Sequence, residues 1–364
     1  MTRIVPAGLV NEPGGPVVVE DVVVAPPGPG EVLVRMKAAG LCHTDMTGNV
    51  NAPAFPTVLG HEGAGIVEEV GPDVTSIAPG TPVVLSWRVP CGQCRWCRRG
   101  RQPWCERPAE TAAPRVHRRR DGAPVLPFLR AGTFCPYAVA PVGAAIPIPA
   151  ALPFAPAALI GCGVATGVGA ALFDAQLEPG MDVAVFGLGG VGLNVVQGAS
   201  LAQATTIVAI DRLPRKIDLA RRFGATEGVV AGDGTVARVR ELTGGRGVDV
   251  AFDVVGHPAV MAEGLEALAP GGTLILVGAP ASDDLFSFTP RPGLLVSQRT
   301  MRGCVYGSCR PAEHFPLFAR WALEGKLKLD ELISRTVHDL AELNDAFAAL
   351  QSGEQVRTVL LFPD

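Results

Sequence analysis

The sequence predicts two domains: a mostly β domain at the start of the chain and, after it, a doubly wound α/β domain built on a parallel sheet. At 364 residues the chain exceeds the size at which a single hydrophobic core usually stops growing. The first third consists of short strand-like runs between Pro/Gly turns, whereas strand-like and helix-like runs alternate from about residue 181. This alternation is typical of parallel strands joined by right-handed crossovers.

Two segments carry the β pattern of the first third. The segment PPGPGEVLVRMKAAG leads from a turn into a strand in which Val32, Val34 and Met36 share one face. The segment APGTPVVLSW repeats this order of turn and strand. We therefore expect both strands in the mostly β domain.

The α/β pattern begins with MDVAVFG, a predicted buried strand that a glycine turn connects to the helical stretch VGLNVVQGASLA. The next strand is TTIVAID, after which Pro214 opens the helix PRKIDLARRFG and Gly224 closes it. The strand VDVAFDVVG, a helix that ends near Ala269 and the strand GTLILVG continue the alternation. Near the end of the chain, VRTVLLF is predicted as a closing strand.

Composition and charge argue against several classes of partner. A net charge of −4 disfavours nucleic acids and anionic membranes, because both need a concentrated basic face. The N-terminal residues contain no apolar segment of signal-peptide length, so we expect a cytoplasmic protein. Residues 131–173 carry no charged side chain, but prolines and glycines interrupt them, so a buried core segment is expected instead of a membrane span.

A dinucleotide site is predicted after the first strand of the α/β pattern. Gly187, Gly189 and Gly192 form G-x-G-x-x-G between a strand and a helix, where glycines let the backbone approach a pyrophosphate at the helix N-terminus. The second strand ends in Asp211, 19 residues after Gly192, and a carboxylate there accepts hydrogen bonds from ribose hydroxyls and repels a 2′-phosphate. NAD is therefore expected in preference to NADP, although Arg212 could accommodate the phosphate. A glycine-rich turn without a ligand is the alternative.

Four cysteines lie within fifteen positions in the pattern C-x2-C-x2-C-x7-C: Cys91, Cys94, Cys97 and Cys105. One loop of this length can supply four thiolates about 2.3 Å from Zn²⁺. A reducing cytoplasm disfavours disulfides, and the segment lacks the βαβ context of a redox C-x-x-C. Because sulfur fills all four positions, we expect a structural zinc that does no chemistry. The positive charges of Arg95, Arg98 and Arg99 would offset its net negative charge.

Three further stretches offer metal ligands: GLCHTDMTGN, LGHEGAGIVEEVG and LIGCGVATG. Buried cysteines and single core histidines are common in proteins. Spacing alone does not join Cys42, His61 and Cys162 into one site, so the residues by themselves leave a second metal site open.

Taken together, these motifs resemble the zinc-dependent alcohol dehydrogenases of the medium-chain dehydrogenase/reductase superfamily over essentially the whole chain. The matching runs are, in order, C-H-T-D, G-H-E-G-A-G-x-V, the four-cysteine loop, G-C-G-x-x-T-G, G-L-G-G-V-G and V-R-T-V-L. The resemblance implies a GroES-like, mostly β catalytic domain at residues 1–163 and 303–364, with the structural zinc loop at 91–105. It implies a Rossmann NAD-binding domain at residues 164–302.

The resemblance also implies a catalytic zinc bound by Cys42, His61 and Cys162, with water or substrate in the fourth position. Asp45 would orient His61, and Glu62 would approach the zinc and assist ligand exchange. The chain would then hold two Zn²⁺ ions, one catalytic and one structural, together with NAD. An open coordination position lets zinc act as a Lewis acid on an alcohol oxygen or a carbonyl.

Cofactor contacts follow from the same resemblance: Asp211 and Lys216 at the adenosine ribose, His43 and Arg357 near the pyrophosphate, and Thr166 and Val191 against the nicotinamide. Thr44 would contact the alkoxide and pass its proton to a ribose hydroxyl of the cofactor. Many relatives continue this relay with a histidine, but the position here is Thr47, which cannot act as a base near neutral pH. We expect a water chain to complete the route, with His43 as the alternative.

The predicted function is reversible hydride transfer from a primary alcohol to NAD, which gives the aldehyde. Trp87, Phe128 and Leu129 align with the pocket-lining positions of the family, and such a pocket suits an aryl, allylic or medium-chain alcohol. For Trp87, plain core packing is the alternative.

Two other functions stay open. The same superfamily contains dehydrogenases that oxidise the adduct of formaldehyde with mycothiol or glutathione, and four arginines after the zinc loop could bind such an anionic thiol: Arg115, Arg118, Arg119 and Arg120. A zinc- and NAD-binding protein without turnover is the alternative of another class, but the complete ligand set and Thr44 disfavour it. The family forms dimers and tetramers, and we expect a dimer. Three cysteines have no assigned role beyond buried packing: Cys135, Cys304 and Cys309.

Overall fold

The computed structural model describes residues 1–111, 113–280 and 284–363, with the side chain of Thr47 also outside the description. The chain divides into two compact units. Unit 1 consists of Met1–Cys162 and Arg310–Asp364, and unit 2 consists of Gly163–Cys309.

The strands are, in chain order, β1 (Arg3–Val10), β2 (Val18–Val24), β3 (Glu31–Gly40), β4 (Thr57–Val58), β5 (Glu62–Val70), β6 (Pro82–Leu85), β7 (Val116–Arg118), β8 (Leu126–Pro127), β9 (Tyr137–Pro141), β10 (Ala145–Pro147), β11 (Asp182–Phe186), β12 (Thr206–Asp211), β13 (Glu227–Val230), β14 (Val248–Asp253), β15 (Leu268–Leu276), β16 (Thr300–Gly303), β17 (Ile333–Val337) and β18 (Arg357–Leu361).

The α-helices are α1 (His43–Asn51), α2 (Arg95–Arg98), α3 (Phe154–Leu159), α4 (Ala165–Gly169), α5 (Gly190–Leu201), α6 (Pro214–Arg222), α7 (Thr235–Leu242), α8 (Pro258–Ala267), α9 (Pro311–Leu323) and α10 (Leu343–Gln351). The ends of α6 follow the expected signals. Pro214 occupies the first turn of α6, and Gly224, just past its end, has a left-handed φ of 112°. Helix α8 ends at Ala267, two residues before the predicted end, because the chain passes directly into β15.

Unit 1 is mostly β, as the sequence predicts. One sheet has the strand order β7-β2-β1-β4-β8, and a second has the order β10-β6-β5-β3-β18-β17, with β9 also paired to β3. Strand β3 is buried on both faces: Val32, Val34 and Met36 join one core cluster, whereas Leu33 and Ala39 join another. The alternation along β3 thus separates two cores instead of a core and solvent.

Unit 2 is a parallel sheet with helices, which confirms the predicted fold class. The strand order is β13-β12-β11-β14-β15-β16, and every neighbouring pair is parallel. Strand order reverses around β11, and ligands of such sheets bind outside the carboxyl ends of the strands at this point. The glycine-rich turn follows β11 directly, so it lies at the expected ligand-binding edge of the sheet.

One helix in the described chain is long and apolar enough to cross a membrane, Phe154–Asp174. However, 78% of its most apolar stretch is buried inside the protein. Helices with this degree of burial are typical of the core of a globular domain, as the prolines and glycines of this segment predict.

Candidate metal and dinucleotide sites

A cluster of potential metal ligands lies in unit 1. One donor atom from each of four side chains lies within 4.8 Å of the other three: Cys42, His61, Glu62 and Cys162. None of these residues is more than 9% exposed. Thiolate sulfur and imidazole nitrogen are preferred donors for Zn²⁺, so the donor set fits zinc.

Strand pairing explains why residues so far apart in the sequence meet here. Strands β3 and β5 pair antiparallel in the register Gly40↔Glu62. This register places Cys42, two residues after β3, close to His61, which directly precedes β5. An ideal Cβ at Gly40 would lie 3.2 Å from the Glu62 Cβ, so glycine leaves room for the Glu62 side chain. Cys162 follows α3, which contacts both β3 and β5.

Asp45 orients the imidazole of His61. Its Oδ1 lies 2.8 Å from His61 Nδ1 and accepts a further hydrogen bond of 3.1 Å from the Gly60 N–H, while its Oδ2 accepts one of 3.0 Å from the Cys42 N–H. The carboxylate therefore favours the tautomer with its proton on Nδ1. Nε2 of His61 is buried and has no hydrogen-bond partner among the described residues. Nε2 of His61 therefore offers a lone pair close to the sulfurs of Cys42 and Cys162, as a metal ligand would.

The electrostatics of the cluster also favour a cation. The hydrogen bond between the two sulfurs holds the pKa of Cys42 well below its usual range, and together with burial it raises that of Cys162. The two thiols are therefore coupled, and Cys42 ionises more readily than Cys162. Burial alone would lower the pKa of His61, but Asp45 and Cys42 raise it well above the usual value. A divalent cation that displaces these protons would be stabilised by the same negative charge.

Glu62 forms a buried ion pair with Arg357. Arg357 Nη2 donates to Glu62 Oε2, and the residues are 4% and 0% exposed, respectively. Burial raises the pKa of Glu62 to about 7 against the opposing charge of Arg357. Arg357 begins β18, which pairs with the end of β3 in the register Val359↔Gly40. Glu62 thus lies between the cysteine and histidine donors and a fixed positive charge.

The other side chains predicted around the catalytic zinc lie on nearby segments of unit 1. His43 and Thr44 form the exposed first turn of α1, directly after Cys42. The ring of Phe128 meets the ring of His61 edge-on, with centroids 6.0 Å apart, and Phe128 is 7% exposed. The side chain of Thr47, which stands where many relatives have a relay histidine, lies outside the part of the chain that the structure describes.

Two further predicted pocket residues, Leu129 and Trp87, lie on segments next to those that carry the cluster. Leu129 follows Phe128 directly and has a left-handed backbone, with a φ of 47°. Trp87 is half-buried and lies two residues after β6, which pairs with β5 in the register Gly63↔Leu85. Both residues are therefore on segments adjacent to those that carry the ligands.

The four-cysteine loop forms a second cluster in unit 1, with its four sulfurs within 4.8 Å of one another. Backbone N–H groups donate to three of these sulfurs: Cys94 to Cys91, Cys97 to Cys94, and Cys91 to Cys105, at 3.4, 3.5 and 3.2 Å. Such donors stabilise thiolates, and they lower the pKa of Cys94 to about 6. All nine cysteines of the chain are free. The arrangement fits a closed tetrahedral zinc site.

The arginines around this loop do not all face the cluster. Arg95 pairs with Glu106 at 2.8 Å, and its guanidinium lies over the ring of Trp96, 4.7 Å from the centroid. The Trp96 ring meets that of Trp104 edge-on at 4.9 Å. Cation–π and aromatic contacts therefore cover the outside of the loop.

The basic run after the loop is neutralised within unit 1. Each of the four arginines has a carboxylate within 3.4 Å: Arg115 with Glu31, Arg118 with Asp121, Arg119 with Asp21, and Arg120 with Glu20. The Glu31 partner is only 2% exposed, so this pair also fixes the start of β3. The four arginines of this run thus mainly form ion pairs with carboxylates of β2 and of neighbouring segments.

The dinucleotide motif of unit 2 has the geometry that the sequence predicts. Gly187 has a φ of 95°, which favours glycine, and Gly189 is the N-cap of α5. An ideal Cβ at Gly192 would lie 2.9 Å from the Gly187 carbonyl carbon, so glycine permits close packing of the helix on the turn. At Gly189 an ideal Cβ would meet no protein atom within 4 Å. The absence of a side chain at Gly189 therefore leaves free space next to the backbone of the turn, where a ligand could approach it.

Asp211 is fixed at the same turn. Its Oδ2 accepts a hydrogen bond from the Leu188 N–H at 2.9 Å and its Oδ1 one from the Leu213 N–H at 3.0 Å. Lys216 Nζ lies 3.9 Å from Oδ2. The carboxylate thus stands at the end of β12 beside the glycine turn, where a ribose is recognised in dinucleotide folds.

Helix α4 brings the predicted nicotinamide residues of unit 2 near each other. An ideal Cβ at Gly167, next to Thr166, would lie 2.9 Å from the Val195 N atom and still closer to the Val191 carbonyl oxygen. Glycine at 167 therefore lets α4 pack directly on the backbone of α5. Thr166 and Val191 lie on these two packed segments.

The cysteines without an assigned role lie outside both clusters. Burial raises the pKa of Cys135 to about 12 and raises that of Cys309 as well. Cys309 Sγ donates to the Ala165 carbonyl at 3.2 Å within unit 2. Poorly ionised, packed thiols of this kind are chemically inert.

Sequence reasoning missed two relations around the cluster of Cys42, His61, Glu62 and Cys162. The contact between Glu62 and Arg357 joins residues 295 positions apart, and no local pattern points to it. The close approach of Phe128 to Gly48 in α1 was also missed. No helix was predicted over this segment, so Gly48 becomes a signal only once α1 is known, because a glycine inside a helix usually has a packing reason.

Comparisons with known proteins agree with this geometry. The family model "Alcohol dehydrogenase GroES-like domain" matches residues 28–150, and "Zinc-binding dehydrogenase" matches residues 190–324. An S-(hydroxymethyl)glutathione dehydrogenase from Escherichia coli is 36% identical over 368 residues, which cover 98% of this chain and 99% of that protein.

Two solved structures are similar over nearly their full length. An alcohol dehydrogenase zinc-binding domain protein from Burkholderia ambifaria has a TM-score of 0.93 and 35% identity, covering 100% of both chains. Benzyl alcohol dehydrogenase from Acinetobacter calcoaceticus has a TM-score of 0.89 and 28% identity, covering 99% of this chain and 100% of that one. Fold, site and comparisons thus agree on a class, the zinc-binding dehydrogenases. The chain belongs to the zinc-dependent medium-chain dehydrogenase/reductase superfamily.

Proposed function

We propose that this protein is a zinc- and NAD-dependent alcohol dehydrogenase that oxidises a primary aryl, allylic or medium-chain alcohol to the aldehyde and catalyses the reverse reaction. The observation that carries this proposal is the buried cluster of Cys42, His61, Glu62 and Cys162. With three protein ligands, zinc would supply an open position and act as a Lewis acid on the alcohol oxygen. The four-cysteine loop would hold a second, structural zinc.

The residues of the cluster would have distinct roles. Cys42, His61 and Cys162 would bind the metal, and Asp45 would hold the His61 ring in its binding tautomer. Glu62, paired with Arg357, would approach the metal and assist the exchange of its fourth ligand. Catalysis of this kind depends on pre-oriented groups, which lower the cost of reorganisation.

Proton removal would begin on the exposed first turn of α1. Thr44 lies two residues after Cys42, and its hydroxyl can accept a proton from the substrate side and donate its own onward. His43, on the same turn, is the nearest imidazole in sequence. We propose that a water chain completes the route. If His43→Ala abolishes the pH dependence of hydride transfer while NAD affinity is kept, the imidazole and not water is the acceptor.

The substrate class rests on the apolar surroundings of the cluster. The Phe128 ring lies edge-on to the metal ligand His61, and Leu129 and Trp87 lie on adjacent segments. An aromatic and aliphatic surface of this kind favours an apolar substituent on the alcohol. Benzyl alcohol dehydrogenase is one of the similar structures and supports this choice.

NADH formation from benzyl, cinnamyl and hexyl alcohol tests the proposal. We expect turnover by the zinc-loaded protein, its loss after chelation and its recovery with Zn²⁺. Cys162→Ser should abolish turnover, whereas Cys304→Ser, a cysteine outside both clusters, should not. Undiminished turnover after removal of the metal at Cys42 and His61 would overturn the proposal.

A thiol-adduct dehydrogenase is the second candidate, and the 36% identity to S-(hydroxymethyl)glutathione dehydrogenase favours it. The pairing of all four arginines of the basic run with carboxylates of unit 1 argues against it, because an anionic thiol would have to break these ion pairs. Parallel kinetics with benzyl alcohol and with formaldehyde plus glutathione or mycothiol distinguish the two. A kcat/KM at least about tenfold higher for the adduct would select the thiol-dependent enzyme.

A zinc- and NAD-binding protein without turnover is the third candidate. It would bind about two zinc ions and NAD but form no NADH with any alcohol or thiol adduct.

The nucleotide is proposed to be NAD, because the carboxylate of Asp211 would repel a 2′-phosphate and its position is fixed by two backbone N–H groups. Asp211→Ser should lower the preference for NAD over NADP about tenfold or more, as the ratio of the two kcat/KM values. Asp218→Ser, an exposed carboxylate on α6, is the control. A preference for NADP in the unaltered protein would contradict this assignment.

We also propose a cytoplasmic homodimer. The nine free cysteines suit a reducing compartment. Strand β16 is the last strand of its sheet, and Leu295, Val296 and Val305 near it are 74%, 69% and 57% exposed. An open edge beside exposed apolar residues is a common surface for pairing with a second copy. Light scattering after size exclusion would show a dimer, whereas a monomer or tetramer would contradict the proposal.

A further inference from the structure

The ring of Phe128 lies directly on the backbone of α1 at Gly48. Gly48 is the sixth residue of this nine-residue helix and is buried. An ideal Cβ at Gly48 would lie 2.7 Å from Phe128 Cε1 and closer still to two other ring atoms. Real Cβ atoms do not approach carbon that closely, so any side chain at position 48 would displace the ring.

The ring has little freedom on its other sides. Phe128 belongs to a core cluster with Val58, Leu59 and Phe134, and close-packed cores do not yield readily. Its ring also meets the ring of His61 edge-on, at 6.0 Å between centroids. A ring displaced from α1 would therefore change its position relative to His61.

The backbone after Phe128 is also held in place. Leu129 and Arg130 have φ values of 47° and 64°, a left-handed conformation that is costly for residues other than glycine. Arg130 Nε donates to Glu110 Oε1 at 2.8 Å. This partly exposed ion pair also connects the turn to the segment of Glu110.

Glycine at position 48 has a cost that this contact explains. Glycine in a helix interior is less favourable than alanine, and α1 contains few strong helix formers. A glycine at this position is consistent with a need for close approach of another group. Here that group is the aromatic ring that flanks a metal ligand.

We propose that Gly48 determines the size of substrate that this metal site accepts: its missing side chain keeps the Phe128 ring against α1 and leaves room beside the cluster for a substituent as large as a phenyl group. This inference depends on the proposed function in one respect: the proposed function identifies the substrate at the metal as an alcohol. Gly48 acts through Phe128 and touches no reacting atom, so it is a specificity-determining residue and not a catalytic one.

Equilibrium binding to the metal tests the proposal without turnover. The full chain with Co²⁺ in the catalytic site is titrated with imidazole and with 4-phenylimidazole, and the visible absorption of the metal reports each dissociation constant. In Gly48→Ala, we expect binding of 4-phenylimidazole to weaken about tenfold while that of imidazole changes less than about twofold. Gly48→Ala/Phe128→Leu should restore the original ratio. Val50→Ala, at a 55% exposed position of the same helix, is the control.

Each outcome decides the proposal. A selective loss for the phenyl ligand that Phe128→Leu rescues supports it. Equal changes for both ligands, no change, or failure of imidazole to bind the unaltered protein overturns it. If Gly48→Ala does not fold, Phe128→Leu alone decides, because it should favour the phenyl ligand over imidazole about threefold or more, and an unchanged ratio overturns the proposal. Size-selective binding without oxidation of any alcohol would instead reject the proposed function and leave this inference standing.

Discussion

Asp45 Oδ1 lies 2.8 Å from Nδ1 of His61, and both side chains are fully buried. The same carboxylate accepts hydrogen bonds from the N–H groups of Cys42 and Gly60. Asp45 therefore fixes the His61 ring and the backbone at Cys42 and Gly60. A substitution of Asp45 should change the affinity of the proposed site for its metal, although no metal ligand is removed.

Asp45→Asn should weaken zinc binding at the proposed catalytic site about 10- to 100-fold, because the amide keeps the shape but removes the charge that orients and polarises His61. Zinc affinity is measured by competition with a chelator, and zinc content by atomic emission. The structural zinc should remain, and Asp218→Asn on the surface should change neither ion. Unaltered affinity at the proposed catalytic site would show that Asp45 does not support the metal.

Gly189→Ala should weaken NAD binding about tenfold or more without harm to the fold. The added methyl group would meet no protein atom within 4 Å, so its effect must come from the ligand, whose pyrophosphate approaches the backbone at this turn. Isothermal calorimetry gives the dissociation constant. Gly232→Ala is the matched control, since a Cβ there also meets nothing within 4 Å. Equal NAD affinity in both variants would place the pyrophosphate elsewhere.

Cys105→Ser should lower the zinc content from about two ions to about one per chain and loosen the loop around Trp96 and Trp104. The edge-on contact of these rings at 4.9 Å depends on the folded loop, so tryptophan fluorescence should change in parallel. Cys304→Ser should keep both ions. Loss of both ions in Cys105→Ser would mean that the two clusters are not independent.

His314 should make stability depend on pH. Its Nδ1 accepts a hydrogen bond from the Arg310 N–H at 3.1 Å, and burial, together with the charge of Arg310, lowers its pKa to about 4. The unfolded chain, with a pKa of about 6.5, binds the proton more readily, so the contribution of the neutral ring to stability is complete above that pH and is lost as the pH falls toward 4.

Urea unfolding at pH 7 and pH 4.5 measures this dependence. His314→Asn keeps a hydrogen-bond acceptor but cannot titrate, so the unaltered protein should lose on the order of 1–2 kcal/mol more than the variant, allowing for solvent screening of the ring. The exposed His338→Asn should behave like the unaltered protein. Parallel pH profiles for His314→Asn and the unaltered protein would show that this ring is not responsible.

Much of the architecture could be predicted because its signals are local. In unit 2 the predicted strands and helices show their periods within short stretches, and Pro214 and Gly224 mark the two ends of α6 where the structure has them, whereas β13, α7 and β16 were not predicted. The mostly β nature of unit 1 was likewise predicted and is confirmed. The alternation along β3 identified its faces correctly, but a single strand could not reveal that both faces are buried.

The two metal clusters differ in how far the sequence could predict them. The sulfurs of the four-cysteine loop come from fifteen consecutive positions, so their spacing alone implies convergence. Cys42, His61 and Cys162 come from three separate segments, and only the resemblance to a family joined them. The structure brings them together, while their roles as ligands stay predictions that zinc analysis of the variants must test.

The sequence by itself determined the alternating strands and helices around the dinucleotide motif, the glycine turn with its acidic residue at the end of the next strand, and the four-cysteine loop, because each depends on neighbours a few residues away. Tertiary structure alone decided that Glu62 pairs with Arg357, that the arginines of the basic run are neutralised, and that Phe128 lies on Gly48. These contacts depend on strand register and on the packing of distant segments, and no local periodicity encodes either.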